Sequence, residues 1–185
     1  AVGLSVISTR DYTAYNSPIF NAKVNVDGVS DDWFGGNTLN PSGFAKPGNI
    51  GGPMYLTTDS GNALFGFDNV DTATSDVYIY IDSIDMSGTT TGINSIHTLP
   101  YAADYVLKID SQGANLWNYN SPNWELKSLA GAVAVQGIDF LEASIPVSSL
   151  GSSDSMRVVA TVQNGDIVTG VSPQNNIVGT GAETL

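Results

Sequence analysis

The sequence predicts an all-β protein, an antiparallel β-sandwich of the jelly-roll kind, and three observations lead there. Apolar and polar residues alternate with period two along most of the chain, the signature of strands with one buried face. Turn-forming clusters (DG, GG, NPSG, KPG, DSGN, DMSGTTTG, DSQG, NSPN, QNG) divide these runs at short intervals. Helical periodicity is nearly absent between them, which leaves no crossover helices for a parallel sheet. With 185 residues, 42% of them apolar, the chain can bury one core and is read as a single domain.

The N-terminal run AVGLSVIS places Val2, Leu4 and Val6 on one face and Ala1, Gly3 and Ser5 on the other. Two readings stay open: a first strand of the chain's own sheet, or a donor strand that completes the sheet of a neighbouring copy. The polar stretch TRDYTAYNSP follows, so residues 1–18 are taken as a donor-type strand with its linker and residues 19–185 as the sandwich. Phe20, Ala22, Val24 and Val26 then alternate with Asn21, Lys23 and Asn25 as the first strand of the body. In VDGVSDDWFGG, Asp27-Gly28 is expected to turn and Trp33 to plug one end of the sandwich; Asp31 and Asp32 either cap the turn or bind a cation. The Gly- and Pro-rich residues 35–53 read as a loop over one end. NALFGF (62–67) is a short apolar strand, and in DVYIYID Val77, Ile79 and Ile81 oppose Tyr78 and Tyr80. Tyr105, Leu107 and Ile109 alternate with Val106, Lys108 and Asp110, and further strands are expected at 114–119, 131–136, 138–145, 156–163 and 166–171.

Composition narrows the function. A formal charge of −12 with six Lys plus Arg disfavours nucleic acid and anionic membrane surfaces as partners. The same excess of carboxylates suits the oxygen-seeking Ca²⁺. The absence of cysteine removes disulfides, zinc–thiolate sites and thiol catalysis together. No run has the length of a transmembrane helix. The chain starts at Ala1 without a signal peptide, as a secreted product would after cleavage, and no Asn stands in an unblocked glycosylation frame, Asn40 being followed by Pro41.

Three kinds of site are conceivable for such a chain. Catalysis has little to draw on: His97 is the single histidine and reads as a loop or packing residue, and no context marks a carboxylate pair, so the chain is expected not to be an enzyme. FDNVDTATSDVYIYIDSID gathers Asp68, Asn69, Asp71, Asp76, Asp82 and Asp85 over a loop and both ends of one strand, with no basic residue nearby in sequence. Together with Asp31 and Asp32 these are the candidate Ca²⁺ ligands, against the plainer role of Asp and Asn as turn formers. Trp117, Tyr119 and Trp124 in NLWNYNSPNWELK form a hairpin cluster around the turn NSPN. Their rings are either a sugar-stacking platform or packing within the core or a subunit contact.

VDGVSDDWFG resembles the DG-x-x-DDW opening of family 9 carbohydrate-binding modules and DOMON-like domains. VYIYIDS (77–83), ADYVLKI (103–109) and LEASIPVSSLG (141–151) follow in that family's order. The resemblance implies a β-sandwich, often with structural Ca²⁺, and in the binding modules a sugar slot between aromatics. The small, acidic, cysteine-free chain with a donor-like N-terminus is also similar to subunits of archaeal extracellular tubes and filaments of the cannula type. That similarity implies self-assembly by donor-strand complementation with Ca²⁺ between acidic sites. The scarcity of Lys and Glu departs from the ion-pair-rich pattern of hyperthermophile proteins.

The expectation is therefore a secreted, extracellular structural subunit that polymerises with copies of itself and uses Ca²⁺. The alternative is a carbohydrate-binding module with Trp117, Tyr119 and Trp124 at its site. Burying Val2, Leu4 and Val6 in a neighbour would contribute about 5–8 kcal/mol before ordering costs.

Overall fold

The computed structural model describes residues 3–6, 24–34, 54–59, 61–83, 87–95, 98–128, 130–151 and 155–172. Its elements in chain order are β1 (Gly3–Val6), a one-turn helix α1 (Asp31–Phe34), β2 (Met54–Asp59), β3 (Asn62–Asp68), β4 (Asp76–Asp82), β5 (Thr89–Thr91), β6 (Thr98–Ala103), β7 (Tyr105–Asp110), β8 (Gly113–Asn120), β9 (Asn123–Leu126), β10 (Val133–Gln136), β11 (Phe140–Pro146), a 3₁₀ turn Val147–Leu150, β12 (Ser155–Asn164) and β13 (Ile167–Ser172). The protein is all-β, as the alternation predicts.

The strands form two main sheets. The larger has the order β1-β12-β4-β7-β8-β9, with β13 also pairing β12, and the smaller has the order β10-β11-β3-β2. Their facing sides supply the main core. Val77, Ile79, Ile81, Leu107, Ile109, Val158 and Ala160 come from the larger sheet, and Met54, Leu56, Phe65, Phe67, Leu141 and Ile145 from the smaller. These are the period-two apolar positions of each strand, so the alternation that specifies strands also specifies which side faces the partner sheet.

The central strands are buried on both faces. Tyr78 and Tyr80, on the other side of β4 from its core residues, pack with Leu99, Tyr101, Val106, Val159 and Val168 in a second cluster. The β5–β6 pair forms a separate two-stranded sheet whose residues cover that outer face. On the outer face of the smaller sheet, Trp33 packs with Val24, Tyr55, Leu64 and Phe140. Trp33 is thus buried, but it covers a sheet face instead of plugging one end of the sandwich, with ring centroids 6.1 Å from Tyr55 and 6.2 Å from Phe140.

Some expectations need correction. Residues 24–26 form no strand; Val24 is buried and Asn25 exposed, so the alternation is kept, but the segment lies across a sheet face instead of joining a ladder. β2, β5 and β6 were not expected. β6 holds Pro100, which suits its place in a two-stranded sheet outside the large ladders. Residues 19–23 and 35–53, and His97, lie outside the described residues.

One further pairing matters for function. β1 runs parallel to β12, with Gly3, Leu4, Ser5 and Val6 opposite Ser155, Met156, Arg157 and Val158. Every other pairing among the described strands is antiparallel. β1 occupies the edge of the larger sheet and also neighbours β2, the edge of the smaller one. It therefore lies at the margin where the larger sheet approaches β2 of the smaller, with the buried Met156 and Val158 of β12 opposite Leu4 and Val6 in the register.

Candidate functional site

The hairpin β8–β9 brings the three hairpin aromatics together. Tyr119 pairs with Trp124 and Trp117 with Leu126 in its register. The Tyr119 and Trp124 rings meet edge to face, with centroids 5.5 Å apart, and Trp124 also meets Tyr80 at 6.4 Å. Trp117 is half-buried against the second cluster, and its indole N–H is buried without a hydrogen-bond partner. The aromatics therefore both pack and line a surface: Trp117 and Trp124 pack against the second cluster, and all three rings line a cleft.

That cleft has a volume of about 570 Å³. One wall is the hairpin aromatics, the other is the segment from Thr89 to Ser95, and Tyr78 and Lys108 lie at its base. The Trp124 indole N–H donates to the Thr91 carbonyl at 3.2 Å and ties the two walls together. At the base, Asn94 Nδ2 donates to the Tyr78 hydroxyl at 3.3 Å, and that hydroxyl donates to Asp76 Oδ2 at 3.2 Å. Lys108 Nζ lies between Asp76 (3.1 Å) and Asp110 (2.8 Å). Burial raises the pKa of Tyr78, and although Asn94 and Lys108 oppose that shift the group stays a phenol able to donate.

The Lys108 pair has a pH signature. Burial works against the charge of Asp110, but hydrogen bonds from Lys108 and from the Gln112 amide outweigh it and hold its pKa below the ordinary aspartate range. A carboxyl with a lowered folded pKa contributes stability above its unfolded pKa, and that contribution disappears as pH falls through the folded value. Melting curves across pH are expected to show wild type losing its advantage over Asp110→Asn once the pH drops below about 4. A gap unchanged down to strong acid would contradict this role.

The acidic candidates among the described residues do not converge. Asp76 and Asp82 open and close β4, a separation of about 20 Å, and cannot share one ion. Asp82 is paired with Arg157 at 3.5 Å. Both cations come from neighbouring strands far away in sequence, so the apparent lack of compensating charge around these aspartates is corrected by the sheet register. Asp68 accepts from the Tyr55 hydroxyl at 3.0 Å. Asn69 adopts a left-handed backbone (φ 55°) and donates its N–H to the Asp139 carbonyl, while Asp71 Oδ1 accepts from the Ala73 amide in its own turn. Asp32 accepts from the Asn25 amide at 2.6 Å, and Asp31 is exposed at the start of α1. Asp85 lies outside the described residues. Among the described residues no three acidic or histidine side chains come together as a metal cage within one chain.

A feature that sequence reasoning missed is a buried clasp. Glu142 is fully buried; Oε2 accepts from the amides of Asp27 (2.8 Å) and Gly28 (2.6 Å), and Oε1 from the Trp33 indole N–H (2.6 Å). Burial raises its pKa, and those three donors oppose the shift. Gly28 has φ +82° and its Cα faces Gly137 so closely that a Cβ would come within 2.7 Å of the Gly137 nitrogen. Nearby in role, the Ser83 amide donates to Asp104 Oδ2 at 2.9 Å and its hydroxyl donates to the Leu150 carbonyl. The DG-x-x-DDW stretch is thereby fastened to the LEAS stretch, and the end of VYIYIDS to ADY and to SSLG. Here Glu142, Asp27, Gly28, Trp33, Ser83 and Asp104 fasten the sandwich and do not line the cleft, to which the same stretches give Tyr78 and Lys108.

The class defined by these observations is an all-β sandwich with a parallel edge strand at one sheet margin and an aromatic cleft towards the other. No family model, curated protein or solved structure matches the chain. No described helix is long and apolar enough to cross a membrane.

Proposed function

We propose that the chain is a non-enzymatic structural subunit that assembles into an extracellular tube or filament by donating its N-terminal strand to the next copy. The supporting observation is the seat of β1. It is the one strand among those described that pairs parallel, it joins the sheet through no hairpin, and it sits on the edge of β12 and close to β2 of the smaller sheet. A strand added in this way is held by backbone ladder bonds and buried side chains, and an equivalent strand from a neighbour would meet the same groove.

The connection allows it. Residues 7–23, seventeen in number, link β1 to the body, and a segment of that length spans at most roughly 60 Å when extended. The energetics make the seat exchangeable. Val2 lies outside the described residues; burying Leu4 and Val6 of a donated β1 would contribute about 3–6 kcal/mol, set against roughly 1–2 kcal/mol per ordered residue, so a four-residue strand is held near balance. At low concentration the tethered strand competes at an effective concentration on the order of millimolar. Assembly between copies therefore needs a second contribution.

Calcium supplies it in this reading. Copies carrying −12 each repel one another, and a divalent cation bound by carboxylates of two copies lowers that repulsion. Within one chain the described carboxylates form no cage, so the proposal puts Ca²⁺ at contacts between copies, with exposed Asp31 as a candidate contributor. Light scattering and electron microscopy of purified protein are expected to show ordered polymers in millimolar Ca²⁺ and monomers in a chelator. Monomers under both conditions at high protein concentration would contradict the proposal.

A further inference from the structure

Two strands share one side of β12. β4 pairs with Arg157–Gln163 on the other side. Opposite β4, β1 lies along Ser155–Val158 and β13 along Ala160–Asn164, end to end with Val159 between them. β13 runs antiparallel to β12, so its last residue, Ser172, is the one opposite Ala160. The chain therefore leaves β13 directed along the edge of β12 towards the seat of β1.

β12 itself runs on to Ser155, so its backbone would let that ladder continue. The sequence supplies the stop. Counted on from Thr161–Val171 and Ala160–Ser172, one residue on each strand per step, the next positions pair Pro173 with Val159, Gln174 with Val158, Asn175 with Arg157 and Asn176 with Met156. Proline has no N–H to give to a ladder. Opposite residues share a face of the sheet, and Val158 and Met156 belong to the buried core. Gln174 and Asn176 would carry amide groups to that core, which is costly unless each finds partners. β1 brings Leu4 and Val6 to the same two positions. Without the stop, a segment continuing directly from β13 would have the advantage. β1 is tied to the body through seventeen residues, and effective concentration falls with such length.

We propose that Pro173, Gln174 and Asn176 reserve the Ser155–Val158 edge of β12 for β1, by stopping β13 from running on into it. The edge is thus a site for a short strand with apolar residues two apart, kept open against the chain's own nearest competitor. Which copy supplies β1 rests on the strand-donation reading; the stop itself follows from the β12 register and holds for either.

The test is hydrogen exchange, read by mass spectrometry on the full chain in a chelator, comparing wild type with the triple variant Pro173→Val, Gln174→Val, Asn176→Val. Valine restores the missing N–H and suits a pleated, half-buried position. In the variant, residues 174–177 are expected to gain protection and residues 3–6 to exchange about tenfold faster or more, with 155–158 protected in both. Asn175→Val, at the register position of the exposed Arg157, is expected to change neither segment. Circular dichroism establishes that each variant is folded. The same preparations are then given Ca²⁺, with polymers expected from wild type and none from the triple variant. Monomers from both, or polymers from both, beside that exchange pattern would end donation between copies and leave the stop standing. Unchanged exchange at residues 3–6 and 174–177 in the folded triple variant, the same shift in Asn175→Val, or residues 3–6 unprotected in wild type would each overturn the proposal.

Discussion

Deleting residues 1–8 is expected to abolish polymer formation while leaving a folded, less stable monomer. The deletion removes β1 and leaves the edge of β12 from Ser155 to Val158 unpaired, with the seam beside the buried Met156 and Val158 open. The rest of the core is carried by strands that pair without β1, so the sandwich itself persists. Exposing the seam lowers the melting temperature, and the open edge makes the truncated chain a receptor for the missing strand. Adding the peptide AVGLSVIS is expected to raise the melting temperature again in a concentration-dependent manner. It should also cap the growth of full-length polymers when present in excess. Polymers from the truncated chain, indistinguishable from those of the full chain, would show that some other surface drives assembly.

The second large effect is expected at Glu142. Replacing it by Ala leaves the Asp27 and Gly28 amides and the Trp33 indole N–H without their shared acceptor. Each buried donor left unpaired costs about 1–3 kcal/mol, and loss of the clasp also frees the segment that carries Trp33 over the smaller sheet. A total loss of roughly 3–5 kcal/mol is a large part of the typical 5–15 kcal/mol that holds a domain together. Glu142→Gln keeps one carbonyl acceptor but turns an N–H₂ towards the remaining donors, so it is expected to lose less than Ala and still lose stability. Urea denaturation monitored by tryptophan fluorescence measures both. A loss under about 1 kcal/mol for Glu142→Ala would mean that the clasp is incidental.

Much of the sandwich was legible in the sequence because its signals are local. Val77, Ile79 and Ile81 against Tyr78 and Tyr80, and the NSPN turn between Trp117 and Trp124, are stated by neighbours in the chain. The hairpin reading also brought Trp117, Tyr119 and Trp124 together as the register does. What escaped depends on partners far apart. Glu142 lies 114 positions from Gly28 and 109 from Trp33, and no local pattern announces such a pair. Lys108 and Arg157 neutralise Asp76 and Asp82 only once β4 lies between β7 and β12. The base of the cleft was missed for the same reason: Tyr78, Asn94 and Lys108 meet through three separate segments. β6 was hidden by Pro100, which argues against a strand in a central ladder and not in a two-stranded pair. Val24 and Val26 misled in the opposite direction, since alternation records burial on one side and is met equally by a segment lying across a sheet.

Strand donation turns on where β1 pairs when copies come together, and the absence of cysteine makes that measurable. Ser5 lies opposite Arg157 in the β1–β12 register, and Arg157 is exposed, so a Ser5→Cys, Arg157→Cys variant places its two thiols at that pairing without disturbing the core. The variant is oxidised under assembling conditions, in Ca²⁺ at high protein concentration, and analysed on a non-reducing gel. Strand donation gives a ladder of covalent dimers, trimers and longer chains that collapses to monomer on reduction. Polymers that yield only internally crosslinked monomer would contradict it, leaving β1 a strand of its own subunit.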